Sequence, residues 1–265
     1  MHLTSLPGPY GIGEIGAAAR GFVDKMAQMG LSVWQFLPLG PTAYGDSPYQ
    51  PLSTFAGNEM LVDIRDLIDL GLLSEDEAGE LTTLPERFVD YGPLIPVKTR
   101  LLFLAASRFE ETVSFEILKD FNGFLERNDG DWLHDYALFR VLKSRHGERP
   151  WHEWQPEYVR RDPESLAQVE RQQADRIRSL KIIQYLFFRQ WFALRDYAHE
   201  RGITLFGDMP ICIALDSADA WANRDILRLD ADGKPDHVAG VPPDYFSEDG
   251  QLWGNPLYDL SLIHI

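Results

Sequence analysis

Between Gly240 and Tyr258 the sequence reads Gly-Val-Pro-Pro-Asp-Tyr-Phe-Ser-Glu-Asp-Gly-Gln-Leu-Trp-Gly-Asn-Pro-Leu-Tyr. The adjacent rings Tyr245 and Phe246, followed by Gln251, Trp253, Asn255 and Tyr258, gather aromatic faces and amides into one stretch. Aromatic faces pack on the C–H faces of a pyranose, while amides and carboxylates reach its hydroxyls. Pro242, Pro243, Gly250, Gly254 and Pro256 argue against a regular helix or strand, so an irregular loop is expected. A sugar-facing surface suits these residue types better than a core, although rings at such spacing can also be simple packing.

Two further segments point to the same kind of cleft. Asp208, in Phe206-Gly207-Asp208-Met209-Pro210, falls near the C-terminal end of an expected parallel strand. Barrel enzymes keep their working residues at that end, though an Asp there can equally accept hydrogen bonds from a neighbouring loop. Gly45-Asp46-Ser47-Pro48-Tyr49-Gln50 follows an earlier expected strand and would offer Ser47 and Tyr49 to the same face.

The elements that must position these residues read as follows. Residues 2–6 suggest the end of a strand, Pro7 to Gly16 a turn, and Ala17 to Met29 a helix with Phe22, Met26 and Met29 on one face. Leu31 to Leu39 reads as a buried strand, which would complete a βαβ unit. Residues 41–97 look irregular, and helices are expected over about 98–127 and 131–145. A long helix should span Pro163 to Glu200, with Gly202 as its stop, before a buried strand from Ile203 to Ile213. The expected divisions are 1–40, 41–162 (helical and irregular), 163–259 and a short tail, 260–265.

Other motifs carry less. Gly11-Ile12-Gly13-Glu14-Ile15-Gly16 matches GxGxxG, but the next strand ends without the acidic residue that a dinucleotide ribose needs, which favours a structural turn. Asp230-Ala231-Asp232-Gly233 has a faint calcium-loop look, yet Lys234 stands where a third oxygen ligand belongs, so a hairpin turn is the better reading. The histidines show no zinc-ligand spacing, and no metal or other cofactor is expected. Cys212 reads as an inert thiol in an apolar strand.

The chain has 265 residues, 45% of them hydrophobic, and a formal net charge of −16 from 41 acidic and 25 basic residues. That balance argues against nucleic acid or an anionic membrane surface as partner, because phosphate binding needs clustered Lys and Arg. No apolar run is long enough for a membrane span, and no signal peptide is visible. A single cysteine fits a reducing compartment, so a cytoplasmic location is expected.

In sequence order, Thr4-Ser5-Leu6-Pro7-Gly8, Trp34-Gln35-Phe36-Leu37-Pro38-Leu39-Gly40-Pro41, Gly45 to Gln50, Gly207-Asp208-Met209-Pro210-Ile211 and the 240–258 stretch resemble the 4-α-glucanotransferases. These are the amylomaltases, or disproportionating enzymes, of bacteria and plants. The resemblance implies an α/β fold, a (β/α)8 TIM barrel. This chain would hold about its first three strands, with a large mostly helical insertion between strands 2 and 3. It implies retaining transfer of α-1,4-glucan segments between maltodextrins or to glucose. Such chemistry needs a nucleophilic and an acid/base carboxylate about 5–5.5 Å apart, and a site that limits competing water.

By the resemblance, Ser47, Tyr49, Asp208, Tyr245, Phe246, Gln251, Trp253 and Asn255 bind substrate, and Tyr44 belongs to a secondary glucan site. The family's Arg-x-Asp-His nucleophile motif is absent from this sequence, and both catalytic carboxylates are expected beyond Ile265. Leu260 to Ile265 resembles translated sequencing-adapter sequence more than the Trp-led helix of the family. Three strands cannot close a barrel, so the chain alone is expected to be inactive and prone to aggregation. The competing readings are a non-catalytic glucan-binding piece and, more remotely, a nucleotide-dependent enzyme using Gly11, Gly13 and Gly16.

Overall fold

The computed structural model describes residues 1–264. Its helices are α1 (Ala17–Gln28), α2 (Ile64–Asp69), α3 (Glu75–Ala78), α4 (Tyr91–Thr112), α5 (Phe115–Asn128), α6 (His134–Arg145), α7 (Pro156–Val159), α8 (Pro163–Gln172), α9 (Ala174–Glu200) and α10 (Ala218–Ala222). Strands β1 (Val33–Gln35) and β2 (Thr204–Phe206) pair in parallel, Trp34 opposite Leu205. Strands β3 (Val238–Val241) and β4 (Gln251–Pro256) form an antiparallel hairpin. The chain divides into two compact units, Met1–Leu39 with Gly57–Asp129 and Arg178–Asp208, and Gly40–Ala56 with Gly130–Ile177 and Met209–Ile265.

In the first unit, α9 is the organising helix. Two of its buried glutamines satisfy the backbone of an irregular segment: Gln184 pairs both its amide ends with Gly57, and Gln190 accepts from the Asp63 N–H at 2.8 Å. Backbone polar groups away from water need such partners, so a loop can be buried here without a strand beside it. Edge-on rings run from Phe22 to Trp34 (4.9 Å), to Phe36 (5.9 Å) and to Trp191 (5.5 Å), fixing α1 and α9 around the parallel pair. Buried Lys98 of α4 forms an ion pair with Glu14, and the space a Cβ on Gly16 would fill is taken by the Asp63 carboxylate. Gly13 lies equally close to the backbone of Leu3 and Leu6, so the glycine motif serves close packing.

Several expectations need correction. Residues 2–6 form a 3-10 turn, Leu3–Ser5, rather than a strand, because His2 Nδ1 accepts from the Thr4 N–H and Leu6 N–H donates to Leu3. Burial along β1 covers Trp34 but leaves Val33 exposed. Helix α4 begins at Tyr91, well before residue 98, because Asp90 caps its first turn and Pro93 sits where an N–H has no helical partner. It ends at Thr112, where Ser114 caps a new helix. The second strand stops at Phe206, and half-buried Cys212 lies in irregular chain. Side chains, not a neighbouring strand, take the carbonyls there: Tyr258 Oη donates to Ile211 and Asn255 Nδ2 to Cys212 and Ile213. Of the tail, Leu260–His264 form a 3-10 turn, and Ile265 lies outside the described residues.

Ser74 and Glu77 close a capping box on α3, and Glu77 also receives both Nη atoms of Arg108 at 2.9 and 2.8 Å. The Arg108 guanidinium and the Ser74 N–H hold the Glu77 carboxyl down at about 2. A carboxylate depressed below its unfolded value of 4.5 contributes stability above that pH and loses it as pH falls toward 2. The stability gap between wild type and Glu77→Gln should therefore shrink from pH 6 to pH 3, read as converging urea midpoints.

In the second unit, Trp151 donates to Leu215 (2.6 Å) and Trp221 to Tyr158 (2.9 Å), while Phe139, Trp154 and Trp221 meet ring to ring. The Asp230–Gly233 segment is the expected hairpin turn. Asp230 N–H donates to the Lys234 carbonyl, Gly233 N–H to the Asp230 carbonyl, and Leu229 bridges Pro235. Gly233 has φ of 79°, and a side chain there would strike Trp151.

Candidate functional site

The 240–258 stretch is a hairpin, which corrects the expectation of a loop without regular structure. The breakers lie where a hairpin tolerates them. Pro242 and Pro243 follow the last residue of β3, Gly250 turns with φ of 73° and Pro256 ends β4. Gly254, at φ of 79°, falls where the register shifts between Val238 and Gly240, so Trp253-Gly254-Asn255 bulges opposite Ala239. The tip is held by a single carboxylate: Asp244 Oδ1 accepts from the N–H groups of Phe246 (2.9 Å) and Ser247 (2.8 Å), and Ser247 Oγ donates to Gly250. This turn presents Tyr245 and Phe246 edge to face, 5.6 Å apart, at 96% and 89% exposure. Trp253 is 48% exposed, and its Nε1 donates to the Gln251 side chain at 3.0 Å.

The hairpin's base is fixed where its tip is free. Asn255 is 4% exposed; its Nδ2 donates to Cys212 and Ile213, and its Oδ1 accepts from Gln50 Nε2 at 3.3 Å. The amide expected to reach substrate is thus engaged within the protein at both ends. Gln50 closes the 41–52 turn, in which Gly45 and Asp46 take positive φ, Tyr49 N–H donates to Ser47 Oγ and Leu52 N–H to Pro41. Tyr49 is 44% exposed. The structure therefore joins the hairpin to the turn that carries Ser47 and Tyr49. The Tyr44 side chain lies outside the described residues. Asp208 is solvent-exposed just past β2 and belongs to the first unit, whereas the other site residues belong to the second.

Asp219, on α10, was not singled out by sequence, since one Asp in Ser-Ala-Asp-Ala has no motif around it. It anchors the following stretch of the 41–56 segment, accepting from Ser53 Oγ (3.1 Å), Thr54 N–H (2.6 Å) and Thr54 Oγ1 (2.9 Å). Burial pushes its carboxyl up, and those donors pull the other way. A cavity of about 270 Å³ opens beside it, lined also by Thr54, Phe55, Trp132, Asn223 and Tyr258. Asp219→Ala would strand these donors and should cost about 3 kcal/mol in urea unfolding. A loss below about 0.5 kcal/mol, the scale of an ordinary surface change, would contradict that role.

Two carboxylates of this stretch are already engaged within the protein. Asp244 is spent on its turn, and Asp259 is held down by hydrogen bonds from Ser261. Elsewhere among the described residues, the carboxylates whose values burial raises, Glu14 and Asp63 in the first unit and Asp219 in the second, are buried and already engaged. Glu14 and Asp63 lie near each other, but Lys98 sits with them, and their burial makes this a structural cluster.

A family model described as 4-alpha-glucanotransferase matches residues 1–264. The 4-alpha-glucanotransferase of Thermus thermophilus is 47% identical over 258 residues, 97% of this chain and 51% of that protein. The chloroplastic/amyloplastic 4-alpha-glucanotransferase of Solanum tuberosum is 39% identical, over 98% of this chain and 45% of that one. The amylomaltase of Streptococcus agalactiae, solved in complex with acarbose, superposes with a TM-score of 0.93 at 38% identity, covering 98% of this chain and 52% of that one. The chain spans about half the length of the curated relatives it matches.

Proposed function

This chain belongs to the 4-alpha-glucanotransferase family, and from that premise we propose that its 238–256 hairpin is the glucan-facing lid of an enzyme that moves α-1,4-glucan segments between maltodextrins or to glucose. The observation that carries the proposal is the exposure of Tyr245 and Phe246 at the tip of a hairpin whose base is clasped by buried Asn255. Exposed rings on an anchored support lose little entropy on meeting a sugar face. Trp253, Tyr245 and Phe246 supply those faces, while Gln251, Ser47 and Tyr49 reach hydroxyls. Asp208 meets the donor sugar, and Tyr44 holds a second glucan segment. Asn255 contributes by positioning β4 rather than by touching substrate.

The parallel pair β1 and β2 forms part of a (β/α)8 barrel, and the largely helical chain between them is its insertion. Support comes from the exposed apolar residues of this small sheet, Val33 and Phe206, since two strands alone are marginal in water. Transfer proceeds with retention through a covalent glycosyl-enzyme. A lid that excludes water lets a sugar hydroxyl, rather than water, take the glycosyl group. The nucleophile and acid/base are supplied from outside these 265 residues, so the chain alone binds glucan at most and does not transfer it.

Hydrogen exchange of the protein carrying this chain, with and without maltoheptaose, tests the assignment. Protection is expected to concentrate in 244–253 and 45–50. Unchanged exchange in both segments would remove the lid from the binding site.

A further inference from the structure

In the second unit a cavity of about 410 Å³ is lined by Arg160, Arg161, Arg224, Trp221, Asp225 and Asp230. Three guanidinium groups on one cavity stand out in a chain with a formal net charge of −16. Arg160 caps the C-terminus of α7, and Arg161 follows at φ of 57°. The accompanying bonds, Asp162 N–H to Glu157 (2.8 Å) and Arg161 N–H to Tyr158 (3.2 Å), mark a helix end where glycine is the usual residue. A left-handed backbone disfavours an L side chain, so arginine there needs another reason.

The Arg161 guanidinium lies 4.1 Å over the Trp221 ring, and its Nη2 donates to Asp135 at 2.6 Å. Its Nη1 is buried with no hydrogen-bond partner. Arg224 is braced by the carbonyls of Val159, Asp230 and Ala231 and stacks over Trp151. The Arg160 side chain makes no hydrogen bond or ion pair among the described residues. Of the two lining carboxylates, Asp230 turns Oδ1 into its own hairpin, accepting from Asp232 and Lys234, and Asp225 is exposed. The cavity thus combines a braced cation with an uncommitted one that lacks an acceptor, beside the Arg161 guanidinium held at its wall. An oxyanion with several acceptor oxygens supplies what is missing.

We propose that this cavity binds a phosphate-bearing small molecule, inorganic phosphate or a sugar phosphate ester, through Arg160, Arg161 and Arg224. Calorimetry of the full chain with inorganic phosphate and, separately, glucose 6-phosphate tests it at constant ionic strength, with chloride as control. Saturable one-site binding is expected. Arg160→Ala should leave the unfolding midpoint in place and weaken binding about tenfold, as for a lost charge-assisted contact. Arg161→Gly suits the left-handed backbone, and should keep the fold while weakening binding similarly. Equal affinity for the two ligands would assign the site to the phosphate group alone, and tighter binding of the ester would add the sugar to what it reads. No saturable binding of either ligand, or affinities unchanged in both variants, would overturn the proposal.

Discussion

At pH 8.5, replacing Lys98 with alanine is expected to cost about 3–5 kcal/mol of stability, seen as a fall in the urea midpoint, because it leaves a buried carboxylate without its counter-charge. Lys98 is 0% exposed and Glu14 6% exposed, and Asp63 lies close to both. Burial pushes the Glu14 carboxyl up to about 8 even with the ammonium beside it, and burial likewise lowers Lys98. An acid raised above its unfolded value of 4.5 destabilises progressively as pH climbs through that window. The Lys98→Ala penalty should therefore be smaller at pH 5, where Glu14 keeps its proton, than at pH 8.5. The paired change Lys98→Met with Glu14→Leu should recover most of the loss, since an apolar pair of similar volume can replace a buried ion pair at little cost. A single variant as stable as wild type at pH 8.5 would show that the pair is solvated.

Removing the Trp253 ring is expected to weaken maltodextrin binding by about 2 kcal/mol, roughly thirtyfold, as for an aromatic anchor at the centre of a contact. The ring is half-exposed and, among the described residues, its Nε1 is bonded only to neighbouring Gln251, so Trp253→Ala should change stability by less than about 0.5 kcal/mol. The measurements are KM for a maltodextrin donor, in the enzyme that carries this chain, beside a urea curve. Lost stability with unchanged KM would make Trp253 a packing residue. Tyr245→Ala and Phe246→Ala should act in the same direction and, under the proposed lid role, also raise hydrolysis relative to transfer, since a lid keeps water from the site.

Much of this was legible from residue types. The periodic apolar faces of α1 and α9 gave helices close to their observed spans, although Gln173 interrupts the run before Ala174. The ring-rich stretch was legible as exposed, but not as a hairpin. Proline and glycine read as breakers from residue type alone, whereas here they occupy the tip, a bulge and a strand end, positions that depend on the partner strand. Asn255 shows a second limit. An amide at the base of a ring cluster suits a sugar hydroxyl and a backbone carbonyl equally, and only the packing of residues 212 and 213 decides between them. The anchoring role of Asp219 was invisible for the same reason: its donors lie 165 residues away or further in sequence. The strand expected at residues 2–6 failed because short local hydrogen bonds accepted by His2 outcompeted an extended pairing.

Transfer from maltotriose tests the central claim most directly. Two proteins are compared: this chain alone, and this chain within a continued protein of its relatives' length. The account predicts that the continued protein builds a ladder of longer maltodextrins, and that the chain alone yields none. A ladder from the chain alone would place the catalytic carboxylates within these residues, and no ladder from the continued protein would contradict the transferase assignment itself.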